Sequence, residues 1–313
     1  MVEHRSLTME IIGFIGLGTI GGAVARNILK AGYPMMVHDI RPEAVKTLVE
    51  LGAKPAESAA GVGRHCRLVF SSLPSPREVE EVALGAEGLL HAVHEGSVFV
   101  DLSSSSADLI RRIEAEFRSH GARVMDAPLI VGKHGVANRS LQVLSSGDFE
   151  TYKEVKPILD AFGDTVVYTG PLGTGTVIKL AHNLVRRGIG LAIGEGVVLG
   201  AKAGVDPQLL WDCMRWGLEV QLHQLAKTLA ETVFKGNYES AASFGIGLSR
   251  KDVGLATELG RQYNVPMPIA ALVEQMMIQA INRGWSDQST LSLFRLQEEA
   301  AGIEVRRPPS IAT

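Results

Sequence analysis

The feature that most constrains this 313-residue chain lies close to its start. Ile11-Ile12-Gly13-Phe14-Ile15 reads as a strand and runs directly into Gly16-Leu17-Gly18-Thr19-Ile20-Gly21. A helical pattern carrying Ala23, Ala25 and Ile28 follows, and a second strand ends at Asp39. Each glycine has a steric reason in such a unit. Gly16 permits the tight turn, Gly18 lets the backbone approach a pyrophosphate, and Gly21 lets the helix pack close to the strand. Leu17, Thr19 and Ile20 complete the loop. The helix start presents unsatisfied N–H groups and partial positive charge to a phosphate. A glycine-rich turn without a ligand is the plain alternative. Asp39 stands 18 residues past Gly21, where a carboxylate accepts hydrogen bonds from an adenosine ribose. A carboxylate also repels a 2′-phosphate, which favours NAD over NADP. Arg41 is either the partner of such a phosphate or a solvated loop charge.

The pattern continues as an α/β half. Strand-like runs occur at Ile11–Ile15, Met35–Asp39, Leu68–Leu73, Val98–Leu102, Val124–Met125, Leu141–Ser146 and Val166–Tyr168. Helical patterns lie between several of them, at Ile20–Ala31, Pro42–Leu51, Pro76–Val82 and Ala107–His120. Such alternation predicts a parallel, doubly wound sheet. After Gly170 the strand signal stops and helices take over, expected at Thr176–Ala203, Pro207–Trp216, Val220–Phe234, Leu248–Tyr263, Pro268–Arg283 and Leu291–Ala301. The expected fold is thus a Rossmann-type doubly wound α/β domain over residues 1–172, then an all-α domain over 173–313, joined by a long interdomain helix. The tail from Arg306 is expected to be loose.

Composition narrows the function classes. A net charge of −3 gives no basic footprint for nucleic acid. Two distant cysteines, Cys66 and Cys213, match no metal or redox spacing, so no metal is expected and a reducing cytoplasm is the economical location. Met1–Thr8 has no apolar core for a signal peptide. The stretch Leu184–Ala203 is interrupted by Arg186, Arg187, Glu195 and Lys202, so no membrane span is expected.

A second constellation begins at Gly173-Thr-Gly175. Lys179, His182, Asn183 and Arg186 follow at i, i+3, i+4 and i+7, so they share one face of a helix otherwise built from Val, Leu, Ile, Ala and Gly. Turned inward, such a quartet must be satisfied or be a site; turned outward, it is a solvated stripe.

The run from Gly13 to Gly32 resembles the opening of the β-hydroxyacid dehydrogenase family, which includes 3-hydroxyisobutyrate dehydrogenase, tartronate semialdehyde reductase and 6-phosphogluconate dehydrogenase. The resemblance extends from about Ile12 to Ala301. Ser71-Ser-Leu73-Pro74 and Val79 resemble the family's loop beside the adenosine end of the cofactor, although Pro74 is also an ordinary turn former. Asp101-Leu-Ser-Ser104 resembles its turn near the nicotinamide, with Ser104 at a threonine position and Asp101 also readable as a helix cap. Ser249-Arg-Lys251-Asp252 resembles a helix whose lysine approaches the cofactor and the cleft; a helix start with outward charges is the alternative. Gly284–Ser289 resembles the family's closing element and reads as a helix cap.

The resemblance implies an NAD(P)-dependent oxidoreductase with Lys179 as general acid/base and with Asn183 and His182 orienting the substrate. A lysine desolvated in a cleft has its pKa lowered toward the working range. Two departures stand out. Lys-x-x-His-Asn is similar to the 6-phosphogluconate branch, yet Arg186 occupies the position of that branch's second acid and cannot give up a proton. The family's Asp-Ala-Pro-Val-Ser-Gly-Gly motif reads Asp126-Ala-Pro-Leu-Ile130-Val131-Gly132, and Arg139 takes a usual glycine position. An apolar pair therefore replaces a polar anion cradle. Either the substrate is bulkier or less acidic, with its anion on Arg186, or turnover of simple hydroxy acids is lost while cofactor binding survives. The expected substrate is a 3-hydroxy acid or sugar acid. An imine reductase on the same fold, or a dinucleotide-binding module without turnover, are the alternatives. The glycines at 188, 190, 194, 196 and 200 imply close helix–helix approach, and a homodimer or homotetramer is expected.

Overall fold

The computed structural model describes residues 10–238 and 245–306. The leader Met1–Thr8 and the tail beyond Arg306 lie outside the described residues. The chain divides into two compact units, Met1–Leu184 and Val185–Thr313, and the division falls within one long helix.

The first unit is built on a nine-stranded sheet with helices on both faces. In chain order its strands are β1 (Ile12–Ile15), β2 (Met35–His38), β3 (Lys54–Pro55), β4 (Leu68–Ser71), β5 (Val98–Asp101), β6 (Arg123–Asp126), β7 (Leu129–Val131), β8 (Leu141–Ser146) and β9 (Thr165–Gly170). The spatial order is β3-β2-β1-β4-β5-β6-β8-β7, with β9 also on β8. Neighbours from β3 to β6 are parallel, whereas β8 runs antiparallel to β6 and β7. The sheet is thus mostly parallel, and a hairpin of β7 and β8 extends it.

Six helices cover the sheet: α1 (Thr19–Lys30), α2 (Pro42–Val49), α3 (Ala59–His65), α4 (Pro76–Leu84), α5 (Ala107–Arg118) and α6 (Phe149–Phe162). Alternation along the strands sorts side chains between two cores. Ile12 and Phe14 join Val24 and Ile28 of α1, Leu48 of α2, and Val155 and Phe162 of α6. Ile15, Val69 and Phe99 join Val62 of α3, Val79 of α4, and Ile113 and Phe117 of α5. The first core contains Phe70 between Phe14, stacked at 6.3 Å, and Phe162, edge-on at 6.3 Å.

Helix α7 (Thr174–Lys202) leads into the second unit, followed by α8 (Pro207–Thr232), α9 (Ile246–Gln262), α10 (Pro268–Asn282) and α11 (Leu293–Ala301). The two helices expected over Pro207–Trp216 and Val220–Phe234 are one. Gly217 between them costs about 1 kcal/mol against alanine, but no proline breaks the hydrogen-bond ladder. Glycine's role in α7 is narrower than expected. A Cβ at Gly200 would stand 2.4 Å from Leu210 and one at Gly196 3.0 Å from Met214, so these two permit α8 to approach, while 188, 190 and 194 face open space. The carboxylate of Glu195 takes the N–H groups of Ile269 and Ala270, closing the start of α10. Arg295 lies 3.9 Å over the ring of Trp285. Among the described residues, no helix is long and apolar enough to cross a membrane, and no group of three or more His, Cys, Asp or Glu is placed to hold a metal ion.

Candidate active site

The strand register brings the candidate residues of the first unit to one edge. Ile15 pairs with His38 and Ser71, Ser71 with Asp101, and Asp101 with Asp126. The loops that follow β1, β2, β4, β5 and β6 therefore emerge side by side at the carboxyl ends of the parallel strands, the place where open α/β sheets bind ligands.

The glycine loop has the shape of a phosphate cradle. Gly16 has a φ of +88°, and an added Cβ would meet Ser72 O at 2.4 Å. At Gly21 a Cβ would stand 2.0 Å from Gly16 O, so only glycine lets α1 seat against the loop. At Gly18 the corresponding space is open, with Arg41 Nη2 the nearest atom at 4.0 Å. Gly18 is also the N-cap of α1 and supplies no side-chain cap. The helix start beside Thr19 and Ile20 is thus left for an outside acceptor, and these residues fit a dinucleotide pyrophosphate.

Asp39 follows β2 and faces this loop. Its Oδ2 accepts the N–H of Leu17 at 2.6 Å, while Oδ1 accepts the backbone N–H of Arg41 at 2.9 Å and its Nε at 3.0 Å. Burial works to raise the carboxyl pKa, but the hydrogen bonds from Arg41 and Leu17 outweigh it and hold Asp39 below the usual carboxylate range. Arg41 is therefore held by Asp39 at the edge of the cradle and is not a free loop charge.

On the loops after β4 and β5, the N–H of Leu73 donates to Ser103 Oγ at 2.9 Å. Ser103 in turn donates to Asp101, as does Ser71 at 2.8 Å. Asp101 is thus a buried tie between two loops. The cap of α5 is instead Ser106, which accepts from Leu109 N. Burial drives the Asp101 carboxyl pKa upward, and the charge of Asp126 adds to this. Pro74 stands between the β4 loop and α4, and Ser104 is exposed. Val79 is fully buried in the core that Leu73 packs against, so its side chain has no free surface.

Lys179 lies in the second turn of α7, half-buried, and its Nζ donates to the carbonyl of Leu129 on β7. Ile130 is half-buried, whereas Val131 and Gly132 are exposed beyond it. His182 is exposed and Asn183 half-buried on the face that Lys179 begins. Arg186 and Lys251 fall in the second unit; Lys251 pairs with Asp252 at 3.3 Å and is exposed.

In sequence Asp126 is only the first residue of the Asp-Ala-Pro motif, with no role assigned to it. The structure makes it the hub of the α7 start: it binds Gly173 and Thr176 from 47 and 50 residues away. The available signal was an aspartate ending a strand, with a Gly-Thr-Gly-Thr turn available to be held. Arg139 takes up left-handed geometry, with φ 59°, where the family resemblance places glycine, and its guanidinium reaches the carbonyl of Asp160 at 2.5 Å.

Comparison with known proteins bears on the family and the fold. Residues 11–170 match the family described as the NAD binding domain of 6-phosphogluconate dehydrogenase, and residues 173–296 match that described as the NAD-binding of NADP-dependent 3-hydroxyisobutyrate dehydrogenase. The chain is 29% identical to mitochondrial 3-hydroxyisobutyrate dehydrogenase of Mus musculus over 306 residues, covering 95% of this chain and 90% of that one. It is 30% identical to 3-hydroxyisobutyrate dehydrogenase of Pseudomonas aeruginosa over 274 residues, covering 86% and 91%. Among solved structures, an imine reductase from Myxococcus stipitatus in complex with NADP+ superposes with a TM-score of 0.83 over 92% of this chain and 99% of its own, at 17% identity. That last likeness is one of fold. The two sequence matches run through both halves and meet at the turn that leads into the lysine helix, and on them the chain belongs to the β-hydroxyacid dehydrogenase family.

Proposed function

We propose that this chain is an NAD(P)-dependent dehydrogenase that moves hydride between nicotinamide and a hydroxy-acid-like substrate, a 3-hydroxy acid or sugar acid, with Lys179 as general acid/base. The observation that carries the reading is the placement of Lys179, half-buried with its ammonium at Leu129 O on the sheet that bears the glycine cradle. The cofactor, when bound, supplies the hydride acceptor for oxidation and the donor for reduction. Gly16, Leu17, Gly18, Thr19, Ile20 and Gly21 hold its pyrophosphate. Asp39 and Arg41 take the adenosine ribose end, with NAD favoured over NADP. Leu73 and Pro74 flank the adenine with Val79 packed in the core behind them, and Ser104 serves the nicotinamide side.

Nζ as an amine takes the substrate's hydroxyl proton as hydride leaves; as an ammonium it returns that proton to the forming alkoxide. Asn183 and His182 orient the substrate, and Arg186 holds its anion. Ile130, Val131 and Gly132 give the wall beside Lys179 an apolar character, which suits a bulkier or less acidic substrate. We place the enzyme in the cytoplasm, where Cys66 and Cys213, both unbridged, stay reduced. We also propose a homodimer or homotetramer, supported by the exposed Leu191 and Val198 of α7 and Leu209 and Trp216 of α8.

The test is an initial-rate panel with NAD and NADP against short 3-hydroxy acids, four-carbon sugar acids and bulkier hydroxy compounds, with imines in the reductive direction. Lys179→Ala runs beside the wild type. A hydroxy-acid rate that falls by more than about 100-fold in the variant is the expected result. Turnover of imines alone would replace this reading with the reductase one, and tight NADH binding without any turnover would leave a dinucleotide-binding module.

A further inference from the structure

Lys179 is held from two sides by one short segment of chain. Leu129, which accepts from Nζ, lies three residues beyond Asp126; Thr176, which Asp126 grips, lies three residues before Lys179. Asp126 and Thr176 are each 1% exposed. Oδ2 of Asp126 accepts the N–H of Thr176 at 2.7 Å and its hydroxyl at 2.9 Å, and Oδ1 accepts the N–H of Gly173 at 2.7 Å. The Ser146 hydroxyl donates to the same Oδ1 and accepts from Gly173 and Gly175. The unsatisfied N–H groups of the first turn of α7 are therefore taken by a carboxylate and a hydroxyl on two other strands. Gly175 permits this approach, since a Cβ there would lie 2.2 Å from Leu144 O and 3.0 Å from Asp126 Oδ2.

We infer that Asp126 is a positioning residue for Lys179: by fixing Thr176 and Gly173 it sets the rotation and height of α7, and so places the ammonium at Leu129 O. The inference rests on the reading of Lys179 as the acid/base, because an error of about 1 Å in a reacting group costs on the order of 100-fold in rate. A carboxylate suits the task because both oxygens face donors. An asparagine in its place turns an amide N–H toward one of them, whichever way it is rotated.

The test reads the placement of Lys179 without needing a substrate. The folded full-length protein is labelled with trace acetic anhydride at fixed pH, and acetylation of Lys179 is measured by mass spectrometry relative to the exposed Lys46 in the same sample. Four proteins are compared: wild type, Asp126→Asn, Thr176→Val and Thr176→Ser. Thr176→Val is nearly isosteric and keeps the N–H bond, so it decides the matter should Asp126→Asn fail to fold. The expected result is a rise in the Lys179 to Lys46 ratio of about fivefold or more in Asp126→Asn and Thr176→Val, while Thr176→Ser, which keeps the hydroxyl, stays within about twofold of wild type. The half-buried Lys156 of α6 is the control for general loosening, which raises it together with Lys179 against Lys46, whereas a displaced Lys179 rises alone. An unchanged ratio in folded Thr176→Val, or a Ser variant as exposed as the Val one, overturns the inference while leaving Lys179 catalytic. Wild-type turnover in Lys179→Ala overturns the acid/base reading itself, and with it any part for Asp126 in the reaction.

Discussion

Asp39 and Arg41 form a closed pair, Nε to Oδ1 at 3.0 Å and Nη2 to Oδ2 at 3.2 Å, and the same carboxylate holds the Leu17 N–H at the mouth of the glycine loop. One side chain thus fixes both the loop and the cation nearest Gly18. A ribose hydroxyl arriving there finds an ionised acceptor, and a 2′-phosphate finds the arginine only by drawing it off the carboxylate. Arg41→Ala is accordingly expected to weaken NADPH binding by roughly tenfold while changing NADH binding by less than about threefold. Asp39→Ala is expected to weaken NADH and narrow the gap between the two. Fluorescence titration of the reduced cofactors measures both, and equal losses for both cofactors in Arg41→Ala would remove Arg41 from the site.

Two glycines of the cradle separate folding from binding. A methyl at Gly21 is driven into the Gly16 carbonyl, a backbone atom that no rotamer change can move. Gly21→Ala is expected to cost on the order of 1–3 kcal/mol and to lower the melting temperature measurably. At Gly18 the backbone, with φ −65°, accommodates any residue and the space is open. Gly18→Ala is expected to melt like wild type yet bind NADH at least about tenfold more weakly, because the methyl occupies the ground a pyrophosphate needs. If NADH affinity survives in Gly18→Ala, the loop is a turn and no cradle.

Much of this unit is legible in sequence because its determinants are local. The apolar run of β1, the three loop glycines and Asp39 all act within a window of about 30 residues, matching the span of such a unit. Helix α6 is hidden by Pro157, which sits inside it and reads as a breaker, although Asp148 caps it and Tyr152, Val155, Leu159 and Phe162 fall on one face. Helix α3 is hidden by composition, since Ala-Ala-Gly-Val-Gly has little propensity of its own and is held by packing on the sheet. The contacts of Asp126 and Asp101 are illegible for another reason. Each joins segments 30 to 50 residues apart, and no periodicity encodes which serine or threonine will meet a strand-end aspartate.

Asp101 makes a pH prediction with a definite sign. Burial raises its carboxyl pKa in the fold, while the unfolded chain ionises near the ordinary value of 3.8. Stability from the protonated group is therefore complete below that value and is lost as pH rises through the folded pKa. Three donors, the Ser71 hydroxyl and the Ser103 hydroxyl and N–H, converge on Oδ1. An asparagine oxygen can accept all three without ionising. Urea unfolding from about pH 4 to pH 8 should show Asp101→Asn gaining on wild type as pH rises. Parallel curves would mean that Asp101 titrates alike in both states.

The wall beside Lys179 tests the substrate class. Ile130 is half-buried and Val131 is 46% exposed, one and two residues past the carbonyl that holds the ammonium. Where the family resemblance places a serine and a glycine, this chain presents two branched apolar side chains. A carboxylate set against them lacks donors and loses water, a cost of roughly 1–3 kcal/mol for each hydrogen bond left unmade. Ile130→Ser with Val131→Gly should therefore raise kcat/KM for short 3-hydroxy acids by about tenfold or more and lower it for bulkier hydroxy compounds. The change should fall mainly in KM, because Lys179 keeps its seat on the backbone of Leu129, which neither substitution removes. A double variant that loses activity on every substrate alike would show that Ile130 and Val131 support the strand and do not choose what binds beside it.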